Sequence, residues 1–270
     1  MTINTIVTDM DDTLFNEESK ISEYTFSVVK ECLRRGIRFI PASGRAQASM
    51  EPYMKQLDTK LPYIACNGAQ LVNADHSVKM ELLMPAEVAR QVCAFWQENG
   101  CYVQMYYGRN LYYANECDYS TEYKKDSKMH GIAVGDLVKF ITDDPPKLLG
   151  IGDPALIAKL YEASSEKFEG QVVFSISKPY FLECVPLGAT KGIALELLAK
   201  DMNICPESTM VFGDSLNDIS MLEYTSNSVA MGNARDEVKQ KARYVCGRNG
   251  EDGLAHFIQE HVLSAHSSAN

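Results

Sequence analysis

Three carboxylates near the start of the chain are the first side chains in this sequence that could do chemistry. Asp9, Asp11 and Asp12 directly follow a short apolar run, rich in β-branched residues, at positions 3–8. Carboxylates crowded together repel one another, and a divalent cation would remove that repulsion; hard oxygen ligands suit Mg²⁺. Aspartates are also common turn residues. This stretch alone therefore leaves two interpretations open, a metal site and an Asx-type turn.

A serine and a lysine farther along the chain could hold an anion. Ser43 follows an apolar run at 37–42 and precedes Gly44, so its hydroxyl and the exposed N–H groups could bind an oxyanion; a helix N-cap is the alternative. Lys191 falls in the first turn of a predicted helix, where a cation is unfavourable with respect to the helix dipole. Such a break of a local rule often marks function, and a solvated surface lysine is the alternative.

A second pair of carboxylates, Asp214 and Asp218, follows another short apolar run at 209–213. Phosphoryl transfer requires an oxygen nucleophile, a metal ion and cationic or N–H donors. A carboxylate such as Asp9 can attack phosphorus and form an aspartyl-phosphate. A carboxylate two residues on, Asp11, could protonate the leaving oxygen and then activate water. If these groups meet in the fold, they predict phosphoryl-transfer chemistry.

The elements that must bring these residues together are short, buried strands alternating with amphipathic helices. Ser22 is predicted to cap a helix, and the run at 37–42 then gives the next strand. A strand, a helix and a strand in that order form a βαβ unit and a parallel sheet, whose sites lie at the carboxyl ends of the strands. We therefore predict an α/β fold with a Rossmann-like parallel-sheet core that forms one open layer up to about Leu83. Asn233 is predicted to cap a later helix.

The stretch from 84 to 184 has a different character. Hairpin signals enclose helical segments and predicted strands at 137–141 and 147–151. Helices mixed with adjacent strand pairs predict an inserted α+β cap domain with an antiparallel sheet, and the core domain is then discontinuous, 1–83 and 185–270. Nine of the fourteen tyrosines lie in the inserted stretch, where they serve sheet packing or form a substrate-facing aromatic surface.

Composition excludes several classes of function. The net charge of -10 over 270 residues argues against a nucleic-acid partner, for which a basic face is expected. An anionic substrate must then be captured by local cations. Salt screens the repulsion from the net negative charge beyond about 8 Å, so cations within the site can prevail at contact. No apolar run approaches the roughly 20 residues of a membrane span. The eight cysteines are scattered and form no Cys-x-x-Cys pair, which favours a reduced, cytoplasmic protein.

Four short strings in this order resemble the four motifs of the haloacid dehalogenase superfamily. They are Asp9–Leu14, Ser43–Arg45, Lys191–Gly192 and Gly213–Asp218. The long insertion between the second and third strings is similar to that of the Cof-type group, which carries a large α/β (C2-type) cap. Two further phrases, Pro186–Gly192 and Val229–Ala234, also match that group. The resemblance covers essentially the whole chain.

The resemblance implies a role for most of these side chains. It implies that Asp9 is the nucleophile and an Mg²⁺ ligand, and that Asp11 is the general acid and base, its main-chain carbonyl also binding the metal. Asp214 is implied to be the third protein ligand of Mg²⁺. Asp218 is implied to support the water shell of the metal or Lys191.

The same resemblance implies how the substrate is held. Ser43 and Lys191 are implied to bind the phosphoryl group, with the Gly44 N–H nearby, and Asn217 is implied to contact that group too. Arg45 could reach an anionic group on the substrate or pair with an acidic neighbour. Asp12 stands where glycine is commonest in the family, and its backbone conformation there is one that aspartate can reach.

The function that the resemblance implies is an Mg²⁺-dependent phosphatase for small phosphorylated metabolites, sugar phosphates foremost. The cap is expected to exclude water and select the leaving group. A phosphomutase or phosphotransferase of the same fold is one alternative. A non-catalytic phospholigand sensor is a second, and the acid two residues after the nucleophile argues against it. The sequence does not indicate the oligomeric state.

Overall fold

A computed structural model describes residues 3–264 of the chain. The strands are β1 Thr5–Thr8, β2 Arg38–Pro41, β3 Tyr63–Ala65, β4 Gln70–Val72, β5 Val78–Glu81, β6 Tyr102–Tyr107, β7 Asn110–Tyr113, β8 His130–Ala133, β9 Lys147–Ile151, β10 Val172–Ile176, β11 Phe181–Pro186, β12 Thr209–Gly213, β13 Ser228–Ala230 and β14 Tyr244–Val245. The α-helices are α1 Glu23–Arg34, α2 Gln47–Leu57, α3 Ala86–Glu98, α4 Asp118–Ser127, α5 Leu137–Phe140, α6 Pro154–Lys167, α7 Lys191–Met202, α8 Ile219–Leu222, α9 Asp236–Lys241 and α10 Gly253–Ile258.

The core sheet has five strands in the order β14-β13-β12-β1-β2, and every neighbouring pair is parallel. All four residues of β1 are buried, including Ile6 and Val7. Strands of a parallel sheet are covered on both faces, so they read as apolar runs rather than as alternating patterns. The predicted parallel-sheet core is confirmed, and β1 and β12 lie side by side in it.

Two helix starts are those that the sequence predicts. The Ser22 hydroxyl accepts a hydrogen bond from the N–H of Thr25 at 2.9 Å, and α1 follows it. The Thr190 hydroxyl accepts from the N–H of Ile193 at 3.1 Å, which satisfies one of the N–H groups that a helix start leaves free. Lys191 is therefore the first residue of α7.

The second large sheet has six strands in the order β10-β11-β9-β6-β7-β8. Its pairs are antiparallel except β7 with β8. It has its own apolar core around Trp96 of α3, whose indole N–H donates to the Ser164 hydroxyl of α6 at 2.9 Å. We call the part from α3 to β11 the cap and the remainder the core; the predicted α+β insertion is confirmed.

Three local predictions are wrong. The chain does not stay in one open layer up to Leu83, because β3, β4 and β5 form a separate antiparallel sheet, and β3 meets the core sheet at one bridge, Ala42 with Ile64. The run at 137–141 is not a strand. Asp136 accepts a hydrogen bond from the N–H of Lys139 at 3.1 Å, which starts the short helix α5 instead.

Asn233 does not cap the helix after it. Its Nδ2 donates to the carbonyl of Asp12 at 2.8 Å, and its Oδ1 accepts from the N–H of Asn249 at 2.9 Å. Both ends of the amide are thus used to join loops, and α9 begins after Arg235 instead.

The sequence predicts reduced cysteines and no membrane-spanning segment. All eight cysteines are free thiols. Cys117 of the cap and Cys205 of the core are exposed, whereas five others are buried and Cys246 is partly covered. Within residues 3–264, no helix has the length and apolar character needed to cross a membrane.

Candidate active site

The carboxyl ends of β1 and β12 bring three predicted carboxylates together. Asp9 follows β1, Asp214 follows β12, and Asp218 ends the helical turn after Ser215. One oxygen of each lies within 4.8 Å of an oxygen of the other two. The strands are adjacent and parallel, so residues that are about two hundred positions apart in sequence meet at one edge of the sheet.

Lys191 lies inside this cluster. Its side chain is 1% exposed, and its Nζ donates to Asp9 Oδ1 at 2.5 Å and to Asp218 Oδ1 at 2.6 Å. Burial alone would lower the pKa of this lysine, but the two carboxylates outweigh burial and raise its pKa above the ordinary value. The alternative of a solvated surface lysine is wrong, because the ammonium is a fixed charge within the site.

One lysine does not neutralise the cluster. Burial raises the pKa of Asp9 well above its ordinary value; Lys191 opposes this, and the neighbouring carboxylates add to it. Burial and Asp218 raise the pKa of Asp214 to about 7. Hard carboxylate oxygens held close together and short of positive charge are the donor set that a divalent cation fits.

Asp218 accepts hydrogen bonds from the lysine and from the backbone, whereas Asp214 accepts from two hydroxyl groups, those of Thr13 at 2.9 Å and Ser215 at 3.0 Å. Oδ1 of Asp218 accepts from Lys191, and its Oδ2 accepts from the backbone N–H groups of Asp214 and Ser215, each at 2.9 Å. These bonds fix the loop after β12 and the lysine together. Asp9, which is bonded to Lys191 through Oδ1, and Asp214, whose hydroxyl donors can rotate, could therefore hold a metal ion with less disruption than Asp218.

Asp11 faces Arg45 rather than the acidic cluster. The guanidinium donates two parallel hydrogen bonds to its carboxylate, at 2.8 and 2.7 Å, and lies against the rings of Phe15 and Tyr53, 5.5 and 5.8 Å from their centroids. Burial works against ionisation of Asp11, but Arg45 outweighs it and holds the pKa of that carboxyl below its ordinary value. Of the two uses weighed for Arg45, the structure shows the pairing with an acidic neighbour.

Asp12 adopts the conformation that explains the usual glycine at its position. Its φ is +57°, in the left-handed region that glycine enters freely and that aspartate tolerates better than most residues. Its side chain is exposed.

Ser43 and Gly44 lie at the end of β2, beside the carboxylates. Ser43 is buried, and its hydroxyl accepts from the N–H of Arg45 at 3.1 Å. It is not a helix N-cap, because α2 begins after Ala46. A Cβ on Gly44 would lie 2.9 Å from Asn67 Oδ1, so a side chain there would displace a neighbour.

A cavity of about 340 Å³ separates the carboxylates from the cap. Asp9, Asp11, Arg45 and Asn217 line it from the core. Its principal cap residues are Tyr119, Tyr123, Lys147, Lys178, Tyr180 and Phe181. Tyr106 and Tyr113 are buried among the strands, as the sheet-packing alternative predicts, whereas Tyr119, Tyr123 and Tyr180 line the cavity.

The sequence reasoning missed a buried ion pair that joins the cap to the core. Lys147 of β9 and Glu183 of β11 are 1% and 6% exposed, and Nζ lies 2.8 Å from Glu183 Oε1. The same ammonium donates to the carbonyl of Gly44 at 2.6 Å. Burial opposes the charge of Lys147, but Glu183 raises its pKa overall. The available signal was a charged residue inside each of two apolar strand patterns.

Comparison with known proteins gives a consistent result over almost the whole chain. Residues 6–258 match the family model of haloacid dehalogenase-like hydrolases. A Haemophilus influenzae protein provisionally classed as a phosphatase is 31% identical over 264 residues, which are 96% of this chain and 98% of that protein. A 5-amino-6-(5-phospho-D-ribitylamino)uracil phosphatase of Bacillus subtilis is 27% identical, over 94% of this chain and 96% of its own. The crystal structure of a haloacid dehalogenase-like hydrolase from Bacteroides thetaiotaomicron superposes with a TM-score of 0.86 at 28% identity, over 96% and 99% of the two chains.

Proposed function

Because the chain belongs to the haloacid dehalogenase-like hydrolases, we propose that it is an Mg²⁺-dependent phosphatase that forms an aspartyl-phosphate. The single observation that carries the proposal is the placement of Asp9. Its buried carboxylate lies 2.5 Å from the Lys191 ammonium, lines the cavity, and is followed two residues later by Asp11, which lines the same cavity.

In the first step, a carboxylate oxygen of Asp9 attacks phosphorus and the bond from phosphorus to the leaving oxygen breaks. Asp11 gives its proton to that oxygen, so the leaving group departs as an alcohol. In the second step, Asp11 takes a proton from water, whose oxygen attacks phosphorus and releases inorganic phosphate from Asp9. Both carboxyl groups end the cycle as they began.

The other side chains hold the substrate. Lys191, the Ser43 hydroxyl and the Gly44 N–H bind the phosphoryl oxygens, and a buried, pre-placed cation is worth more in such a site than in water. Asn217 binds the substrate from the loop after β12. Arg45 supports catalysis through its paired hydrogen bonds to Asp11.

The residues that would hold Mg²⁺ are Asp9, Asp214 and the main-chain carbonyl of Asp11, with Asp218 in support. When bound, the ion supplies charge neutralisation on the phosphoryl oxygens. Support comes from the donor set, since the three carboxylates lie within 4.8 Å of one another and Lys191 pairs with two of them, Asp9 and Asp218.

We propose that the substrates are small phosphorylated metabolites, with sugar phosphates foremost. A cavity of about 340 Å³ accommodates a compact leaving group, and its hydroxyl-rich lining suits polyols. The B. subtilis relative is named for a substrate with a phosphorylated ribityl chain. We further propose that residues 84–184 form a domain that closes over the site, and that the protein is cytoplasmic, in keeping with its free thiols.

The test is a panel of phosphorylated metabolites, assayed for inorganic phosphate with and without Mg²⁺. Asp9→Asn should abolish turnover and leave Mg²⁺-dependent substrate binding measurable. Asp58→Asn is the matched control, the same change on an exposed aspartate outside the cavity, and should keep its activity. Unchanged turnover in Asp9→Asn would refute the proposal. An isomeric phosphate without free phosphate would point to a mutase instead.

A further inference from the structure

The loop after β3 has a left-handed backbone, and contacts with neighbouring elements hold it in that conformation. Cys66, Asn67 and Gly68 have φ values of +49°, +55° and +95°. A Cβ on Gly68 would lie 2.2 Å from the carbonyl oxygen of Thr190, so only glycine fits against the start of α7. Left-handed backbone at residues other than glycine is costly and concentrates at functional sites. The N–H of Asn67 donates to the carbonyl of Ser43 at 3.0 Å, which ties the loop to the site.

Asn67 lies in a hydrogen-bonded chain that crosses from the cap to the core. Its Nδ2 donates to Glu183 Oε2. Its Oδ1 accepts from Asn217 Nδ2 at 2.9 Å. The other oxygen of Glu183 accepts from Lys147 at 2.8 Å and from the Ser177 hydroxyl at 3.1 Å.

Glu183 fixes which groups donate and which accept along this series of hydrogen bonds. A carboxylate paired with a lysine can only accept hydrogen bonds, so Asn67 must turn its NH₂ group toward Glu183 and its oxygen toward Asn217. Asn217 must then give its own NH₂ group to Asn67. Asn217 is left with Oδ1, an acceptor, and with the second N–H of its NH₂ group.

Asn217 Oδ1 is an exception within residues 3–264. It is the one enclosed side-chain nitrogen or oxygen of that range with no hydrogen-bond partner. Native structures rarely leave such an atom unpaired unless a ligand completes it. Asn217 lines the cavity that Asp9 and Asp11 also line, so a substrate can supply the missing donor.

We propose that Glu183 and Asn67 are positioning residues that orient the Asn217 amide so that its oxygen accepts a hydrogen bond from a hydroxyl of the leaving group. The proposal rests on the phosphatase function proposed above. It adds to the phosphoryl contact that the family resemblance implies for Asn217, because an ionised phosphoryl oxygen can accept from the second N–H but cannot donate to Oδ1. Since Glu183 belongs to the cap, the cap sets the hydrogen-bonding character of a core residue.

The sharpest perturbation is Glu183→Gln. Lys147 and Ser177 hold the first oxygen, so the glutamine keeps its carbonyl there and turns an NH₂ group toward Asn67. Asn67 must then rotate, and Asn217 rotates with it and presents NH₂ instead of oxygen. An isosteric change in the cap therefore inverts an amide in the core.

The kinetic test compares a hexose phosphate with p-nitrophenyl phosphate, whose leaving group carries no hydroxyl donor. Glu183→Gln should lower kcat/KM for the hexose phosphate about tenfold, the upper range for one hydrogen bond, and change it less than twofold for p-nitrophenyl phosphate. Asn217→Ala also removes an N–H donor for the phosphoryl group, so it should lower kcat/KM for both substrates, and more for the hexose phosphate. In the Asn217→Ala background, Glu183→Gln should have no further effect. Equal losses for both substrates, or additive losses in the double variant, would overturn the proposal.

A second variant and a control distinguish the proposed effect from a loss of activity through misfolding. Asn67→Gly keeps the Lys147 and Glu183 pair, suits a φ of +55°, and should show the same substrate-dependent loss. Glu81→Gln alters another carboxylate that accepts from an amide, at 2.5 Å from Gln70 Nε2 and away from the cavity, and should leave kcat/KM unchanged.

The orientation itself is tested without turnover, by the side-chain NH₂ signals of ¹⁵N-asparagine-labelled protein. Asn67→Gly and Asn217→Ala assign the two signals. Both should shift in Glu183→Gln, and a shift confined to Asn67 would refute the coupling. If the wild type hydrolysed no phosphomonoester, the proposed function would fail, and these signals would still decide how Asn217 is oriented.

Discussion

Removal of the buried cation is the most informative single perturbation of the site. In Lys191→Met the chain keeps a side chain of similar length, while Asp9 and Asp218 lose the ammonium that lies 2.5 and 2.6 Å from them. Removing one partner of a buried ion pair costs about 3–5 kcal/mol. We expect the metal-free variant to be destabilised within that range at pH 7.

The pH dependence of the loss follows from the carboxylates. A stranded carboxylate can take up a proton, and at pH 7 this costs about 4 kcal/mol against an ordinary pKa near 3.9. At pH 5 the same protonation costs only about 1.5 kcal/mol. Lys191 is the charge that holds the pKa of Asp9 down, so in the variant this pKa rises further than in wild type. The variant therefore gains more stability than wild type as the pH falls, and its deficit should shrink to about 1–2 kcal/mol at pH 5.

Thermal unfolding in EDTA at the two pH values measures this. One kcal/mol corresponds to roughly 2–4 °C in Tm for a chain of this size, so Tm should fall by about 10 °C at pH 7 and by about half of that at pH 5. Lys200→Met, an exposed lysine of the same helix, is the control and should leave Tm unchanged. Asp218→Asn added to Lys191→Met should recover part of the loss. A deficit below about 1 kcal/mol, or one that grows as the pH falls, would refute this account of the cluster.

Three further outcomes are expected. Although burial acts the other way, Arg45 lowers the pKa of Asp11, and the acid works in its protonated form. Arg45→Met should therefore move the high-pH limb of kcat/KM to higher pH, and an unmoved limb would count against that role. The pKa of Asp214 is raised to about 7, so the metal-free protein should lose stability between about pH 4 and pH 7. Mg²⁺ competes with that proton and should raise Tm more at pH 8 than at pH 6, whereas an equal shift would contradict the prediction. Ser164→Ala leaves the Trp96 N–H without its acceptor and should lower the free energy of unfolding by about 1–2 kcal/mol. The fluorescence of Trp96, the single tryptophan, monitors the unfolding. An unchanged free energy of unfolding would mean that the buried bond contributes nothing.

The parts of the site that could be predicted are those that local sequence and sheet topology determine together. Asp9 and Asp214 each follow a short apolar run, and parallel strands place such ends at one edge. Lys191 was identified by its conflict with the helix dipole. In each case a pattern within a few residues identified the side chain. The parallel-sheet fold then predicted that these side chains meet at one edge.

The missed residues depend on contacts between distant parts of the chain. Asn67 and Glu183 are 116 positions apart, and Lys147 meets Gly44 across 103. A charged residue inside a strand reads as an ordinary edge position until its partner on the other sheet is known. The separate sheet of β3, β4 and β5 was missed for a related reason. Asn67-Gly68 signals a turn, but this local signal does not show that the chain then folds back to pair β4 with β3 instead of continuing the core sheet.

The distribution of thiols gives the protein a built-in pair of labelling sites. Cys117 of the cap and Cys205 of the core are exposed, so each of the two parts carries one. Burial raises the pKa of Cys32 and of Cys66 to about 12, which leaves almost no reactive thiolate at neutral pH. Donor and acceptor dyes attached to the native sequence would therefore report the separation of cap and core in single molecules during turnover.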